Sequence, residues 1–490
     1  MTLDDLLITT GAVSFVGLVL ALAEVSSRAG LIGPESSRMT VHAVVGVAAA
    51  SLPFMFKDLT PFYPAAVLAM VVTSLDAHRG RLRSLHGVSR QTKGTPTFAA
   101  AFILAGVLCW TTRPDLTYAF TASLAVLAIS DPLAALVGQA GNGWTNMAAP
   151  KTTRGSIAFF VSAVVVVAVV LVVTQAAIEL SLSYMVLVIL LTALCATAAE
   201  YVSEGGWDNP AIVLAVCATL TLTVSAVVDP VIVLVGIVLP AAFAYGTYRM
   251  KLLDARGSLV AGLLGTTIIL SHDWRWLLPG LVFFVTSSAL SRVGRDRKRD
   301  AERRQQKGHV RDVSQVLANG GIAWVLLLGS AFAGLDFLFW GYAGAFAAAT
   351  ADTWGTEIGT LSRSEPVNIR TLRRAPAGTS GAVTTLGTVG AVGGAAVIAV
   401  LAAPFVGGSG LAGLVPTAIF VAAGVVGSTV DTVLGATLQA LYLDDAGGLT
   451  ERPEGNQLVR GFSWLTNDRV NLAATGSGAF VAILGYGVFV

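Results

Sequence analysis

Long apolar stretches, interrupted by short polar ones, run through this chain from end to end. Runs of spanning length fall near 6–25, 40–56, 61–76, 97–112, 116–130, 155–175, 183–199, 210–228 and 230–247. Others fall near 258–271, 276–290, 315–332, 336–351, 379–403, 411–427, 429–443 and 471–490. One bilayer crossing takes roughly 20 apolar residues, and the shorter runs suit half-helices or re-entrant segments that line a cavity. The pattern predicts an all-α polytopic integral membrane protein with about 13–17 transmembrane or re-entrant helices. The first run follows Asp4 and Asp5, where a secretory signal carries Lys or Arg, so it is expected to stay as the first helix.

Composition agrees with that pattern. Of the 490 residues 54% are hydrophobic and 12% charged, about half the charged share of an ordinary soluble protein. Between Arg154 and Arg249 there is no Lys or Arg at all, room for several crossings. The net charge of +2 carries no nucleic-acid footprint. Cys109, Cys195 and Cys217 each sit inside an apolar run and read as small buried residues. Of the 31 Lys and Arg, 26 fall in the stretches 79–93, 151–154, 249–256, 292–311, 363–374 and 452–469. The positive-inside rule turns these polar loops toward the cytoplasm. The Arg295–Arg304 portion reads equally well as a solvated topogenic loop.

The two halves share a chemical plan. Asp131 follows an apolar run and is trailed by Gly138, then by Lys151, Arg154, Gly155 and Ser156. Asp352 is trailed at the same spacing by Gly359, then by Arg373, Arg374, Gly378, Thr379, Ser380 and Gly381. The boundary is expected within 229–257, giving two helical-bundle modules, 1–235 and 236–490.

An ionisable side chain at membrane depth is costly and needs a use. Asp131 and Asp352 read as helix-end acids, where a carboxylate either caps backbone N–H groups or reaches a wet cavity and shares a divalent ion with phosphate. The glycine segments before long apolar helices read as phosphate cradles, since helix N-termini present free N–H groups. The neighbouring Lys151, Arg154, Arg373 and Arg374 would neutralise a polyphosphate. Glu200, Glu204, Asp208 and Asn209 lie in the zone without Lys or Arg, so a metal or a polar cavity is expected beside them. Ser428, Asp431, Thr432 and Gly435 form a polar stripe on one helix face. Arg38 and His42 lie four apart and could meet phosphate together. Asp312, Gln315 and Asn319 make another stripe, in which a mere anchor would not need amides. His78, His86 and His272 read as surface residues, and His309 belongs to the stretch leading to Arg311.

With these residues in place both halves resemble membrane lipid kinases. Region 1–230 resembles the phytol and dolichol kinase family, relatives of CDP-diacylglycerol synthases. It does so through Arg38, His42 and Gly46, Ser130-Asp131 with Gly138, Lys151 with Gly155-Ser156, and Glu200 with Asp208-Asn209-Pro210. That family usually has Arg-Lys where this chain has Arg38-Met39. Region 240–490 resembles the phytyl-phosphate kinase family through Arg311-Asp312 with Gln315, Asn319 and Gly320, Asp352 with Glu357 and Gly359, and Gly378 to Gly381. Asp431 with Gly435 and Gln439 completes that set, and Asn467 to Asn471 falls where the family has a further asparagine motif. The resemblance implies a bifunctional salvage kinase. Its first half would phosphorylate an isoprenoid alcohol such as phytol or geranylgeraniol, and its second the resulting prenyl monophosphate. The donor would be a nucleoside triphosphate, commonly CTP, with Mg²⁺ or Mn²⁺ held by Asp131 and Asp208 and by Asp352 and Asp431. Glu200 or Asp208 would take the alcohol proton, and Arg311 would orient the monophosphate. Membrane lipids would surround the prenyl tail. Two rival readings are a CDP-lipid synthase-like cytidylyltransferase and a transporter with two related halves.

Overall fold

A computed structural model describes residues 2–79, 94–139, 151–176, 178–226, 228–271, 273–294, 310–407, 413–444 and 448–489. His86, His272, Lys307, His309 and the Arg295–Arg304 portion lie outside the described residues, as does the side chain of His78. Among the described residues there are 17 α-helices, and 11 helical segments are long and apolar enough to cross a membrane. The protein is an all-α polytopic integral membrane protein.

The chain divides into two compact units, Met1–Val238 and Leu239–Val490. The first holds α1 (Leu3–Arg28), α2 (Pro34–Ala50), α3 (Tyr63–Arg79), α4 (Gly94–Gly106), α5 (Thr117–Gln139), α6 (Thr153–Val173), α7 (Leu182–Val202) and α8 (Asp208–Leu220). Single π-turns extend α4 and α8 over Val107–Thr111 and Thr221–Ser225. Helix α5 is the axis of this unit. Its residues Tyr118 to Ala128 are all buried, and α2, α6 and α8 pack on it. Helix α9 (Pro230–Arg249) carries the chain across the division.

The second unit holds α10 (Ala255–Leu270), α11 (Leu277–Leu290), α12 (Val313–Ala333), α13 (Leu338–Gly359), α14 (Thr385–Ala402), the single turn α15 (Pro404–Gly407), α16 (Leu414–Thr437) and α17 (Asn467–Phe489). Helix α13 is its axis, buried from Phe339 through Ala351 and flanked by α12, α14, α16 and α17. Small residues let those helices close on one another, since no hydrophobic drive separates helix from lipid. A Cβ on Gly427 would lie 2.3 Å from Ala348 Cβ, and one on Gly344 would lie 2.5 Å from Ala482 Cβ. Aromatic contacts of Trp276 and Phe283 with Phe339, Tyr342 and Phe346 of α13 fill another part of the core.

Two small antiparallel sheets, which the apolar pattern did not signal, sit in the polar loops of the second unit. Strands β1 (Val367–Asn368) and β2 (Ala382–Val383) form one. Strands β3 (Leu441–Leu443), β4 (Leu449–Thr450) and β5 (Gln457–Arg460) form the other, with β3 in the middle. Cys109, Cys195 and Cys217 are buried free thiols.

Candidate functional site

Each unit contains the same helix crossing, and in each it carries an acid. In the first, Thr152 caps α6 by accepting a hydrogen bond from Gly155 N–H at 3.1 Å. Gly155 meets Gly138 of α5 so closely that a Cβ on it would lie 2.9 Å from Ala134 O. In the second, Thr384 caps α14 by accepting from Gly387 N–H at 3.0 Å. Gly387 meets Gly359 of α13, and a Cβ on it would lie 2.8 Å from Gly355 O. Seven residues before Gly138 and Gly359 stand Asp131 and Asp352.

Three expectations change here. The acids lie inside α5 and α13, not at helix ends, although Pro132 removes one helical N–H beside Asp131. Gly155 serves close packing, and its N–H is already taken by Thr152, so it offers none to phosphate. The true counterpart of Gly155 is Gly387, not the Gly378–Gly381 segment. That segment precedes β2 and packs on the end of α16, where Gly381, at φ +76°, approaches Ala436 closely. The doubled motif was legible in Asp131/Gly138 and Asp352/Gly359, but nothing in the local sequence distinguished a packing glycine from a cradle.

Around Asp131 the first unit assembles charges from four helices and the stretch before α6. Lys151 Nζ lies 2.7 Å from Glu200 Oε1 and 3.8 Å from Asp208 Oδ2, and it also donates to the Glu200 carbonyl. The acids of the cation-free zone thus do have a cation, brought by folding from the stretch before α6. Asp131 faces Asp208, Lys151, Arg38 and Glu35. Arg38 Nη2 is tied to Glu35 at 2.8 Å, while its Nε atom, Glu200 Oε2 and Ser156 Oγ are buried without a partner among the described residues. His42 Nε2 donates to Leu127 O at 3.0 Å and its ring stands edge-on to Phe98. Asn209 is a tie between helices: its amide donates to Gly94 O at 2.7 Å and to Thr97 Oγ1 at 3.2 Å. Arg154 is exposed on the first turn of α6 and does not join the group.

These polar groups form the head of a cavity of about 830 Å³. From the head it continues as an apolar arm between α1, α2, α3 and α4, with Val45, Phe98 and Phe102 in its walls. Glu35 was missed in the sequence because a Glu at a helix start reads as a dipole partner.

In the second unit the carboxylates of Asp352 (α13) and Asp431 (α16) come within hydrogen-bonding reach, with Glu451 nearby. Asp431 Oδ2 is buried without a partner among the described residues. Glu451 accepts from Ser380 Oγ and from Gln439 Nε2, the latter at 2.8 Å. Arg460 Nη2 donates to Gly435 O at 2.7 Å, at the end of the Ser428–Gly435 stripe, and its Nε is buried without a partner among the described residues. Burial pulls the Arg460 guanidinium below its ordinary pKa, the charge of Arg370 adds to this, and Glu451 opposes it. Arg370, Glu451 and Arg460 carry no local signal in the chain and come together only through the small sheets. Arg374, expected beside phosphate, is exposed and paired with Glu365 at 3.1 Å. Thr379 Oγ1 turns back to Pro376 O.

The stripe at the start of α12 also has a different basis. Asp312 caps the helix by accepting from Gln315 N–H at 3.0 Å, and Gln315 Oε1 accepts from Asp312 N–H at 3.1 Å. Asn319 donates to Gln315 O at 2.9 Å. The amides therefore serve a capping box and its next turn. Arg311 lies over the Phe283 ring at 5.8 Å and faces Glu357, which accepts from Ser291 Oγ at 2.7 Å. Burial pulls the Arg311 guanidinium below its ordinary pKa, and Glu357 opposes the shift.

Acids gathered at two repeated helix crossings define a polytopic membrane protein with ionisable sites in its interior. Residues 238–479, nearly all of the second unit, match the integral membrane protein family DUF92. Over 225 residues the chain is 32% identical to Protein PGR of Arabidopsis thaliana, covering 42% of this chain and 78% of that protein. It is 30% identical over 261 residues to an uncharacterized membrane protein of Methanocaldococcus jannaschii, covering 51% of this chain and 93% of the relative. Protein VTE6, chloroplastic, of Arabidopsis thaliana is 28% identical over 243 residues, 47% of this chain and 65% of VTE6. The chain belongs to the DUF92 integral membrane family. No solved structure matches it.

Proposed function

We propose that the chain is an isoprenoid lipid kinase with two sites, the first unit phosphorylating a prenyl alcohol and the second the prenyl monophosphate. The observation that carries this reading is the cavity of the first unit, a charged head continuous with an apolar arm. An amphiphile with one reactive hydroxyl and a long hydrocarbon tail fits that division of surface. The resemblance of region 240–490 to phytyl-phosphate kinases supports the second step, and CTP is the donor those resemblances favour.

Phosphoryl transfer asks for positioning and charge neutralisation more than for covalent chemistry. In the first unit the alcohol oxygen attacks the terminal phosphorus of the donor. A new O–P bond forms, the bond to the leaving nucleoside diphosphate breaks, and the alcohol proton passes to a carboxylate. Glu200 Oε2, unpartnered while Lys151 holds Oε1, is placed to accept it, with Asp208 as its neighbour. Arg38 and Lys151 offset the charge that develops on the phosphoryl oxygens. In the second unit the incoming substrate is already an anion and needs no base. Arg460 and Arg370 hold it beside Asp352 and Asp431, and Arg311 orients it from the residue before the α12 cap.

The residues suit a divalent ion of the Mg²⁺ or Mn²⁺ kind, which Asp131 with Asp208, and Asp352 with Asp431, would hold. Two carboxylates as close as Asp352 and Asp431 repel unless a cation or shared proton lies between them, and the bare Asp431 Oδ2 is a ready ligand. Among the described residues no three His, Cys, Asp or Glu side chains form a closed metal cage. That suits Mg²⁺, which takes one or two carboxylates and completes its shell with water and phosphate oxygens. When bound, the ion neutralises donor phosphate charge.

The test is purified protein in nanodiscs, given phytol, farnesol or geranylgeraniol with CTP or ATP, and then the corresponding monophosphates. Products are read by mass spectrometry. Mono- and diphosphates with release of nucleoside diphosphate support the reading. Pyrophosphate release would point to a cytidylyltransferase, and substrate movement without nucleotide turnover to a transporter. Either outcome would overturn it.

A further inference from the structure

The far end of the first-unit cavity has no part in the chemistry above, yet it is shaped with care. Along α2 the lining begins at Glu35 and Arg38 and continues to Leu52, just beyond the helix. At a rise of 1.5 Å per residue this spans about 20 Å. Helices α1 and α3 run the opposite way beside it. Thr9 Oγ1 donates to Pro61 O, which sets the start of α1 against the start of α3 at the far end. Ser37 Oγ donates to Ala23 O at 3.4 Å, which sets the later turns of α1 against the start of α2 at the head.

Charge is confined to the head: beyond Arg38 no lining residue of α1, α2 or α3 is Asp, Glu, Lys or Arg. Approaching the far end, Gly11, Ala12, Ala48, Ala49, Ala65 and Ala69 are the small residues of the bore's wall. The far end changes character. There Phe56 meets Phe62 edge-on, ring centroids 4.9 Å apart at 69°. Trp110 Nε1 donates to Lys57 O at 3.1 Å and fixes the turn that carries Phe56. An apolar bore with a charged head and an aromatic pair at its far end takes a single chain lengthwise, and the pair limits how far the chain can reach.

We infer that the Phe56–Phe62 pair is the floor of a chain-length gauge, and that the first unit selects isoprenoid alcohols of about diterpenyl length. This rests on the proposed prenol kinase activity. A chain one isoprene unit too short leaves part of the bore unfilled, and one too long strikes the floor before its hydroxyl reaches Asp131. Each mismatch lowers kcat/KM by about tenfold or more. Phe56 and Ala48 act on specificity and touch no reacting atom.

The experiment compares geraniol, farnesol, geranylgeraniol and a longer polyprenol as substrates of the wild type, Ala48→Phe and Phe56→Ala. The same series also competes against a photoreactive geranylgeraniol analogue, which reads the bore without turnover. The wild type should peak at geranylgeraniol in both assays. Ala48→Phe should move the optimum to farnesol by about tenfold in relative kcat/KM. Phe56→Ala should admit the longer alcohol. Farnesol turnover by Ala48→Phe and geranylgeraniol turnover by Phe56→Ala check that the first unit of each variant has folded. Phosphorylation with a length ranking unchanged in both variants overturns the gauge and leaves the kinase reading intact. Length-dependent competition that shifts in the variants, without any phosphorylation, keeps the gauge and overturns the kinase reading. Loss of both signals in the wild type overturns both.

Discussion

The α5/α6 pair of the first unit and the α13/α14 pair of the second carry the same four residues in the same places: an acid, a glycine seven residues on, a capping Thr and a glycine three residues after it. Their acids nevertheless face different neighbours. Asp131 looks onto two cations, Lys151 and Arg38, mixed with Glu35 and Asp208. Asp352 looks onto another carboxylate, Asp431, with Glu451 behind it and the arginines of the small sheets farther off. One backbone device has been fitted with two electrostatic settings. The crossing sets an acid within a packed helix, and under the proposed function its surroundings would decide the substrate. A neutral alcohol suits a site with a spare carboxylate oxygen at Glu200, whereas an anion suits one whose cations stand apart from its acids.

The strongest way to break this comparison is to neutralise each acid alone. Asp131→Asn should abolish monophosphate formation by on the order of 10²–10³-fold and leave conversion of supplied prenyl monophosphate unchanged. Asp352→Asn should do the reverse. Equal loss of both steps in either variant, measured by product mass spectrometry, would end the two-site account.

Lys151→Met comes next. It strands Glu200 and Asp208 together in a buried site and should lower stability by about 3–5 kcal/mol, seen as a fall in Tm in detergent. Adding Glu200→Gln should recover part of that loss, because it removes one stranded charge. No counterpart lysine lies at the second crossing among its described contacts, so this sensitivity should belong to the first unit alone.

The shared scaffold itself is tested by Gly155→Ala and Gly387→Ala. Alanine favours a helix by up to about 1 kcal/mol, but its Cβ would sit under 3 Å from a backbone carbonyl in either unit. The clash should win, for a net cost of about 1–3 kcal/mol and of similar size in both variants. Thr152→Ala and Thr384→Ala should each cost about 1 kcal/mol through the lost cap. A large cost at one crossing and none at the other would show that the two are alike only in outline.

The smallest effect separates Arg374 from Arg460. Arg374→Ala removes an exposed ion pair and should change neither Tm nor kinetics. Arg460→Ala should raise KM for the prenyl monophosphate with kcat little changed, as expected of a residue that holds an anion, and should not affect the first step.

How much of this was legible in the chain differs between fold and site. Helices of one kind and number followed from apolar runs alone, because a bilayer leaves the backbone few other ways to satisfy its hydrogen bonds. Asp131, Glu200, Asp208, Asp352 and Asp431 stood out because acids are rare at that depth. Their partners did not stand out. Lys151 lies 49 residues from Glu200, and no local pattern joins them. Asp312 and Gln315 drew notice as a polar stripe, but a capping box and a binding stripe share that spacing. Gly378 to Gly381 looked like a cradle because glycine marks both free backbone and close packing, and only the neighbouring Ala436 tells which.

By itself, then, the sequence determined that this protein lives in a bilayer, which acids it buries there, and that it does so twice, since these follow from hydropathy and from spacing along one helix. Only the tertiary structure decided which charges meet. It brought Lys151 to Glu200, Asp352 to Asp431, Arg460 to Gly435 and Phe56 to Phe62, because contacts between distant segments depend on how helices pack, and packing is set by surfaces that no single segment contains.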